Sequence, residues 1–369
     1  MAVADIIFFQ YFHESRVSVY PCGNLQVVRN KYKLPMVGID IGSKSIKIID
    51  AVKASNSWQL KTSGAVGFVG KTPEKMETED EFIKVAELIK KVARQIKITS
   101  KEINIALPER LVFSRVIKFP MLTDEEVVSA IKWEAEQYIP IPLNEAVVQH
   151  LVLEKRESTS EILILLIAVP KNIVERYVKI IRLAGLNPVS CETELIALSR
   201  SLAPEKGTSL VLDLGAASTN MAITKDSKVF FTRSIPVAGE ALTRAVTQGM
   251  AITPEQAEEY KKTYGLSATQ LEGKIKNALD PVMRMIIDEI KKAIHFYQTE
   301  GQTDLPTSVI VTGGASSMPE IQSYLTELLG LETAIGDPFS KFNLDPETAK
   351  SLTPYSSYYG TAAGLAMRE

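Results

Sequence analysis

The stretch MVGIDIGSKSIKIID, residues 36–50, decides the fold of this chain of 369 residues. An apolar strand carries Asp40 at its end, a glycine follows two positions later, and a second strand with alternating apolar residues comes next. The stretch LVLDLGAASTNMAIT, residues 210–224, repeats this order around Asp213. In both stretches a serine stands five positions after the aspartate. The matched spacing predicts two hairpins of the same design, each followed by a third strand.

Each hairpin turn has the composition of a phosphate-binding loop. Gly42 and Gly215 are expected to adopt positive φ, which would let consecutive backbone N–H groups converge on an anion. Asp40 and Asp213 can hold a metal ion or its bound waters. Two such turns that face each other would bind a metal polyphosphate from both sides. One turn alone is more typical of an ordinary hairpin, but two copies with matched spacing favour phosphate binding.

A third glycine-containing turn lies in SVIVTGGASSMPEI, residues 308–321. Its β-branched residues predict a strand that ends at Gly313 and Gly314. Ser317 and Glu320 have the spacing of a capping box, which predicts a helix that begins there and tolerates a proline in its first turn. The glycines would let the backbone approach a flat ligand, and the helix start could face its phosphates. Taken alone, the segment is more typical of an ordinary strand-to-helix turn.

Composition excludes several classes of function. The chain has 42 Lys+Arg against 44 Asp+Glu, so no overall field attracts it to nucleic acid or to an anionic surface. Cys22 and Cys191 lie far apart, and the three histidines show no metal-ligand spacing. The longest strongly apolar run, residues 162–169, is much shorter than the roughly 20 residues that cross a bilayer. Binding must therefore come from local sites.

A competing signal is AVGFVGKT, residues 65–72, which fits a relaxed P-loop pattern. The strand that ends at Asp213 could then serve as its Walker B strand. A P-loop Lys-Thr pair opens directly into an amphipathic helix, whereas PEKMETED follows here, with four acidic residues against one lysine. Acidic side chains at that position would repel phosphate. We therefore reject the P-loop interpretation.

Apolar periodicity predicts the elements around these motifs. Residues 80–98 read as an amphipathic helix, and residues 107–185 follow the order strand, helix, strand, strand, helix, as a compact insert. The first helix of the insert is expected to begin at Thr123 in a capping box. A further capped helix is expected at Thr253 and Pro254.

Together these motifs resemble those of the actin, Hsp70 and sugar-kinase superfamily. The two aspartate hairpins are similar to its phosphate-one and phosphate-two motifs, and Thr312, Gly313 and Gly314 to its adenosine motif. WEAEQYIPIPLNEAV, residues 133–147, resembles a characteristic segment of the PilM family of type IV pilus assembly, with the FtsA family next. The resemblance runs from about residue 37 to the end. It implies an α/β, actin-like (ribonuclease H-like) two-domain ATPase fold with an inserted FtsA/PilM-type subdomain.

The resemblance also implies a domain organisation along the chain. The expected divisions are an N-terminal extension without an assigned function at 1–36, the first actin-like domain at 37–106, the inserted subdomain at 107–185, the return segment of the first domain at 186–205, the core of the second domain at 206–237, its helical subdomain at 238–300, the rest of that core with the adenosine motif at 301–351, and a C-terminal connecting helix at 352–369.

By the same resemblance, the chain binds ATP with Mg²⁺ between its two domains. Asp40 and Asp213 would position the metal. Asp213 would also act in catalysis with Glu194, which would orient the attacking water, and Glu258 and Lys261 would hold the ribose and adenine side. The other candidate nucleotide-binding residues are Gly42, Ser43, Lys44, Ser45, Lys47, Gly215, Ala216, Ala217, Ser218, Gly239, Gly313, Gly314, Ala315 and Ser316.

One departure from the FtsA pattern bears on turnover. The loop GAASTN has fewer glycines, and Asn220 stands where an acidic residue is usual, so we expect ATP binding with slow ATPase activity at most. The small residues of YYGTAAGLAM, residues 358–367, are similar to a connecting helix near the hinge, where they would allow close packing.

The resemblance implies a cytoplasmic scaffold at the inner membrane, in the assembly platform of the type IV pilus. Its partner would be the cytoplasmic N-terminal tail of PilN, bound by the inserted subdomain, where Trp133 and Tyr138 could be contact or core residues. An FtsA-like filament former, with self-association, and a small-molecule kinase of the same superfamily remain alternatives. The sequence shows no convincing second acidic cluster beyond Glu192 and Glu194, which disfavours the kinase.

Overall fold

The computed structural model describes residues 37–55, 57–300 and 304–369, so the extension predicted at 1–36 lies outside the described residues. The strands in these ranges are β1 (Val37–Ile41), β2 (Ser45–Lys53), β3 (Trp58–Gly67), β4 (Glu102–Leu107), β5 (Phe113–Pro120), β6 (Ala146–Arg156), β7 (Glu161–Pro170), β8 (Asn187–Thr193), β9 (Thr208–Leu214), β10 (Thr219–Lys225), β11 (Lys228–Ile235), β12 (Ser308–Thr312) and β13 (Glu332–Ile335). The α-helices there are α1 (Glu79–Ile96), α2 (Asp124–Tyr138), α3 (Lys171–Leu183), α4 (Glu194–Leu202), α5 (Gly239–Met250), α6 (Pro254–Tyr264), α7 (Lys274–Thr299), α8 (Ile321–Leu329), α9 (Pro346–Leu352) and α10 (Gly360–Ala366).

The first sheet has the strand order β3-β2-β1-β4-β8. β1, β2 and β3 form the predicted antiparallel meander, and β4 and β8 run parallel to β1. Helices α1 and α3 pack on this sheet, and α10 packs against β1 and β2. Ile39 packs in the main core with residues of α1 and α3, and Gly38 packs against α10. Strand β1 is therefore covered on both faces, which explains its continuous apolar sequence.

The second sheet repeats this design, with the strand order β11-β10-β9-β12-β13. The repeat extends to single residues, because Asp40 pairs with Lys47 across β1 and β2, and Asp213 pairs with Asn220 across β9 and β10. We call the first sheet with α1 and α3 lobe 1, and the second sheet with α5 to α8 lobe 2. Helix α4 contacts strands of both sheets and packs against α10.

A separate antiparallel sheet, in the order β5-β7-β6, carries α2 on one face. Residues of β7 alternate between this small core and the main core, so the strand is buried on both faces and reads as the apolar run ILILLIAV. We call residues 113–170 the insert. Helix α3, which the sequence grouped with the insert, packs on α1 of lobe 1.

The helix start predicted at Ser317 is wrong. A 3₁₀ turn covers Gly314–Ser317, and α8 begins at Ile321 without a side-chain cap. Pro319 explains the difference, because a proline disfavours helical backbone in the residue before it, and Met318 is extended with ψ 134. The helix start therefore does not directly follow the glycine pair.

Most other sequence-based elements are confirmed. Capping boxes open α2 at Thr123 and α6 at Thr253. No α-helix directly follows residues 65–72, since a short 3₁₀ turn covers Pro73–Lys75 and α1 begins only at Glu79. This agrees with rejection of the P-loop. In the ranges that the structure describes, no helix has the length and apolar character of a membrane span.

The contact between α10 and α4 gives a stability prediction. A Cβ on Gly364 would overlap the carbonyl oxygen of Ala197, and backbone atoms cannot yield as a flexible side chain can. Overpacking of this kind costs about 1–3 kcal/mol. We therefore expect Gly364→Ala to lower the thermal unfolding midpoint by several degrees, measured by circular dichroism.

The matched control for this prediction is Gly67→Ala in β3, where the nearest atom to an added Cβ is 3.8 Å away. An equal midpoint for Gly364→Ala and this control would contradict the close packing of the two helices.

Candidate functional site

A cavity of about 650 Å³ lies between the two lobes, and both aspartate hairpins line it. Of the predicted site residues, Ser316 does not line it. Ser316 is buried behind the turn at Gly313, where its hydroxyl donates to the Gly313 carbonyl at 2.7 Å. The predicted residues that the structure brings together around the cavity are Asp40, Gly42, Ser43, Lys44, Ser45, Lys47, Glu194, Asp213, Gly215, Ala216, Ala217, Ser218, Gly239, Glu258, Lys261, Gly313, Gly314 and Ala315.

The two hairpin turns share the same backbone geometry. The amide of Gly42 donates to the Ser45 carbonyl at 3.1 Å, and the amide of Gly215 donates to the Ser218 carbonyl at 3.1 Å. The positive φ predicted for both glycines is wrong, because neither lies in the left-handed region. Space is the reason for glycine here: a Cβ on Gly215 would stand 2.8 Å from the Ser218 carbonyl oxygen.

The carboxylates of the two hairpins face one buried ammonium group. Lys47 Nζ lies 2.9 Å from Asp40 Oδ2. Burial lowers the pKa of Lys47, but Asp40, Asp213 and more weakly Glu194 raise it, and the net pKa lies above the ordinary value. For Asp213, burial and the Asp40 charge raise the pKa to about 6 against the opposing effects of Lys47 and Asn220. The site is therefore short of positive charge.

Glu194 adds a third carboxyl to this wall of the cavity. It is the first residue of α4, and Thr193 caps that helix by accepting a hydrogen bond from the Ile196 amide. Its Oε2 accepts hydrogen bonds from the Glu109 amide at 3.0 Å and the Asn220 side chain at 3.2 Å. Burial, with the charges of Asp40 and Asp213, raises the pKa of Glu194 to about 8. In the free protein this carboxyl is mostly protonated at neutral pH.

These carboxyl groups fit a divalent cation that comes with its own ligands. No group of three or more His, Cys, Asp or Glu side chains in the described ranges is arranged to hold a metal ion. Mg²⁺ commonly takes only one or two protein carboxylates and completes its shell with phosphate oxygens and water. Asp40 and Asp213, with their excess of negative charge, match that requirement.

The other end of the cavity is built by α5 and α6. Lys261 Nζ donates to Glu258 at 2.6 Å, to the Thr243 hydroxyl at 2.8 Å and to the Gly239 carbonyl at 3.1 Å. Burial lowers the pKa of Lys261, and the Glu258 carboxylate partly offsets this. All three ammonium donors are thus used within the protein, which fixes the wall. A role for Glu258 and Lys261 at the ribose and adenine side stays a prediction.

The turn at the end of β12 depends on Gly313. Its φ is 87°, and a Cβ there would overlap the Asp213 carboxylate and stand 2.7 Å from the Leu214 carbonyl oxygen. Only glycine lets this turn lie directly against the end of β9. The Thr312 hydroxyl donates to the Ser357 carbonyl at 2.7 Å, which ties the turn to the segment before α10.

Several residues around the cavity escaped the sequence analysis. Lys44 Nζ and Glu240 lie 2.9 Å apart and join the two lobes, but both side chains are more than half exposed, so the pair adds little stability. A tertiary contact of this kind leaves no signal in the sequence. Among the missed residues, Tyr358 lies in a segment that the sequence analysis had quoted, residues 358–367. The missed lining residues include Arg110, Glu240, Thr243, Arg244, Thr247, Lys262 and Tyr358.

One protein family and several curated relatives match most of this chain. Residues 38–369 match the family described as type IV pilus assembly protein PilM. The cell division protein FtsA of Bacillus subtilis (strain 168) is 21% identical over 351 residues, covering 82% of this chain and 78% of that protein. FtsA of Pseudomonas aeruginosa is 24% identical over 297 residues, covering 74% of this chain and 67% of that protein.

Solved structures share the fold. A PilM-PilN type IV pilus biogenesis complex matches with a TM-score of 0.76 at 24% identity, covering 90% of this chain and 97% of that chain. The ethanolamine utilization protein EutJ of Carboxydothermus hydrogenoformans follows with a TM-score of 0.56 at 17% identity, covering 92% of each chain. MreB5 of Spiroplasma citri bound to ADP has a TM-score of 0.52 at 15% identity, covering 91% and 96%. The predicted actin-like fold is confirmed.

The raised pKa of Glu194 predicts a pH-dependent stability. The pKa of Glu194 is about 8 in the folded protein, against an ordinary value of 4.5. The stabilisation from its protonation is therefore fully present below pH 4.5 and is lost as the pH rises through about 8. Relative to wild type, Glu194→Gln should therefore gain thermal stability progressively from about pH 5 to about pH 9, measured without nucleotide.

The control is Gln95→Ala, an exposed residue of α1 without an ionisable side chain, whose difference from wild type should not change with pH. A pH-independent difference for Glu194→Gln as well would contradict the buried, protonated state.

Proposed function

The chain belongs to the type IV pilus assembly protein PilM family, and from that membership we propose that it is a Mg²⁺-ATP-binding scaffold of the pilus assembly platform. In this proposal, nucleotide lies in the cavity between the lobes. Asp40 and Asp213 position the metal, the turns that follow them contact the phosphates, and the turn at Gly313 contacts the nucleoside.

One observation carries the nucleotide part of the proposal. The cavity is lined by two turns with the same backbone hydrogen bonds, and each turn follows a strand whose second-last residue is an aspartate. Backbone N–H groups of such turns can bind anions, and the aspartates can receive the accompanying metal. ADP in the related fold of MreB5 of Spiroplasma citri supports the same ligand class here.

The side chains around Asp213 favour binding over rapid turnover. Bound Mg²⁺ would supply positive charge that neutralises phosphate oxygens. Glu194 would orient the attacking water, and its Oε2 already accepts hydrogen bonds from the Glu109 amide and the Asn220 side chain. Its neighbour Asn220 donates an amide hydrogen to it and cannot act as a base. We therefore propose slow ATP hydrolysis at most.

The insert is the proposed site for a partner at the membrane. A related structure is titled a PilM-PilN complex, and we propose that this chain binds the cytoplasmic N-terminal tail of a PilN-like protein. Trp133 on α2 is 76% exposed. Tyr138 is half-buried, and the guanidinium carbon of Arg115 lies 4.7 Å from the centroid of its ring. A large exposed aromatic side chain is a frequent anchor of binding energy. The protein would then be cytoplasmic and held at the inner membrane by its partner.

The metal role gives a direct test. Asp213→Ala removes a half-buried carboxyl whose charged form is disfavoured in the free protein, so the fold should persist while Mg²⁺-ATP affinity falls at least about tenfold. Calorimetric titration measures the affinity, and circular dichroism checks the fold. The matched control is Asp226→Ala, at the opposite end of the same hairpin, which should bind as wild type does. Unchanged affinity in Asp213→Ala would remove the metal assignment.

The partner role is tested with a synthetic peptide of the PilN cytoplasmic tail. We expect saturable binding to wild type and about tenfold weaker binding to Trp133→Ala, because loss of an exposed aromatic anchor typically costs that much or more. Met285→Ala, an exposed apolar residue on α7 of lobe 2, is the control. A protein that binds ATP but no peptide would favour the filament-forming or kinase alternatives.

A further inference from the structure

Arg110 connects the cavity to the insert. It lines the cavity together with the two aspartate turns, and it lies in the 3₁₀ turn Glu109–Leu111 that follows β4. Strand β5, the first strand of the insert, begins only three residues later at Phe113. A change in the position of Arg110 can therefore move the start of β5, because only two residues separate them.

The guanidinium of Arg110 is held beside the cavity by Glu74. The two side chains form an ion pair, and the Glu74 side chain is 8% exposed. Thr72 also donates to Glu74, on the same oxygen that Arg110 contacts. An arginine has five N–H donors in a planar fork, so one edge can stay near a carboxylate while another contacts a phosphate.

The charges around Tyr177 show which groups share this space. Burial raises the pKa of Tyr177 well above its ordinary value, Glu74, Glu194 and Asp40 raise it further, and Arg110 lowers it. Arg110 and the carboxyl groups of the phosphate end therefore act on the same buried hydroxyl. This agrees with the position of Arg110 on the wall of the cavity.

Charge balance gives Arg110 a specific ligand. Near the aspartate turns, Lys47 is paired with Asp40, and Lys44 with Glu240 at the mouth of the cavity. Arg110, in contrast, has further N–H donors besides the one on Glu74. The other lining cations, Arg244, Lys261 and Lys262, belong to the wall built by α5 and α6. The terminal phosphate of ATP adds negative charge to an end of the cavity that is already rich in carboxylates. On the premise of the proposed function, we propose that Arg110 contacts the terminal phosphate of ATP and thereby transmits the nucleotide state to β5.

The contacts of the neighbouring residues make the turn a coupling element. The Glu109 amide donates to Glu194, and the buried Glu109 carboxyl lies near the hydroxyl groups of Thr193 in lobe 1 and Thr232 in lobe 2 without a hydrogen bond to either. At the start of β5, the Ser114 hydroxyl lies 2.5 Å from that of Thr232. A shift of Arg110 toward the phosphate would thus change contacts at the junction of lobe 1, lobe 2 and the insert.

The test compares ATP with ADP. Arg110→Gln alone would leave Glu74 buried without its cation, which could unfold the region. We therefore use Glu74→Gln with Arg110→Gln together, and Glu74→Gln alone. We expect the double variant to bind Mg²⁺-ATP about tenfold more weakly than wild type and Mg²⁺-ADP equally well, while Glu74→Gln keeps the wild-type preference. Arg115→Gln, an exposed arginine on β5, should match wild type for both nucleotides.

Hydrogen–deuterium exchange then tests the transmission. In wild type, ATP should change exchange in β5 more than ADP does, and the double variant should lose this difference. An unchanged ATP-to-ADP affinity ratio in the double variant would overturn the inference, as would equal exchange of wild-type β5 with both nucleotides. A wild-type protein that binds neither nucleotide would instead refute the proposed function itself.

Discussion

The carboxyl groups of Asp40, which is buried, and of Asp213 and Glu194, which are half-buried, lie around one cavity, where the Lys47 ammonium group is paired with Asp40. Carboxylates in such a place must bind protons or cations, which is why the pKa values of Asp213 and Glu194 rise. The two lobes are brought together on opposite sides of this charge. The phosphate site, the proposed metal and the proposed link to the insert all depend on how that negative charge is neutralised.

The two hairpins that line the cavity have the same backbone design but different side chains at one equivalent position. The hairpins have the same register, and at equivalent positions lobe 1 has Lys47 and lobe 2 has Asn220. The lysine neutralises Asp40, whereas the asparagine only donates a hydrogen bond toward Asp213 and Glu194. One half of the site is thus internally paired, and the other half is left to an external cation. On the premise of the proposed function, we therefore expect the main metal contact on the side of Asp213.

The sequence predicted the fold because the repeated aspartate hairpins and apolar periodicity are local signals. It failed where tertiary packing decides the conformation. Gly215 is explained by the nearby Ser218 carbonyl oxygen and not by positive φ. A local effect was missed as well, because Pro319 delays the helix predicted at Ser317 to Ile321. Arg110 and the pair of Lys44 with Glu240 bear on the cavity only after distant segments meet, so spacing along the chain could not find them.

The most direct test of the central claim is a crystal structure of the protein with Mg²⁺ and a non-hydrolysable ATP analogue. The account predicts phosphate density within hydrogen-bond distance of backbone amides in both turns, after Asp40 and after Asp213, with the metal on the Asp213 side. Nucleotide bound to one lobe only, or outside the cavity, would contradict the claim that the duplicated hairpins form one phosphate site.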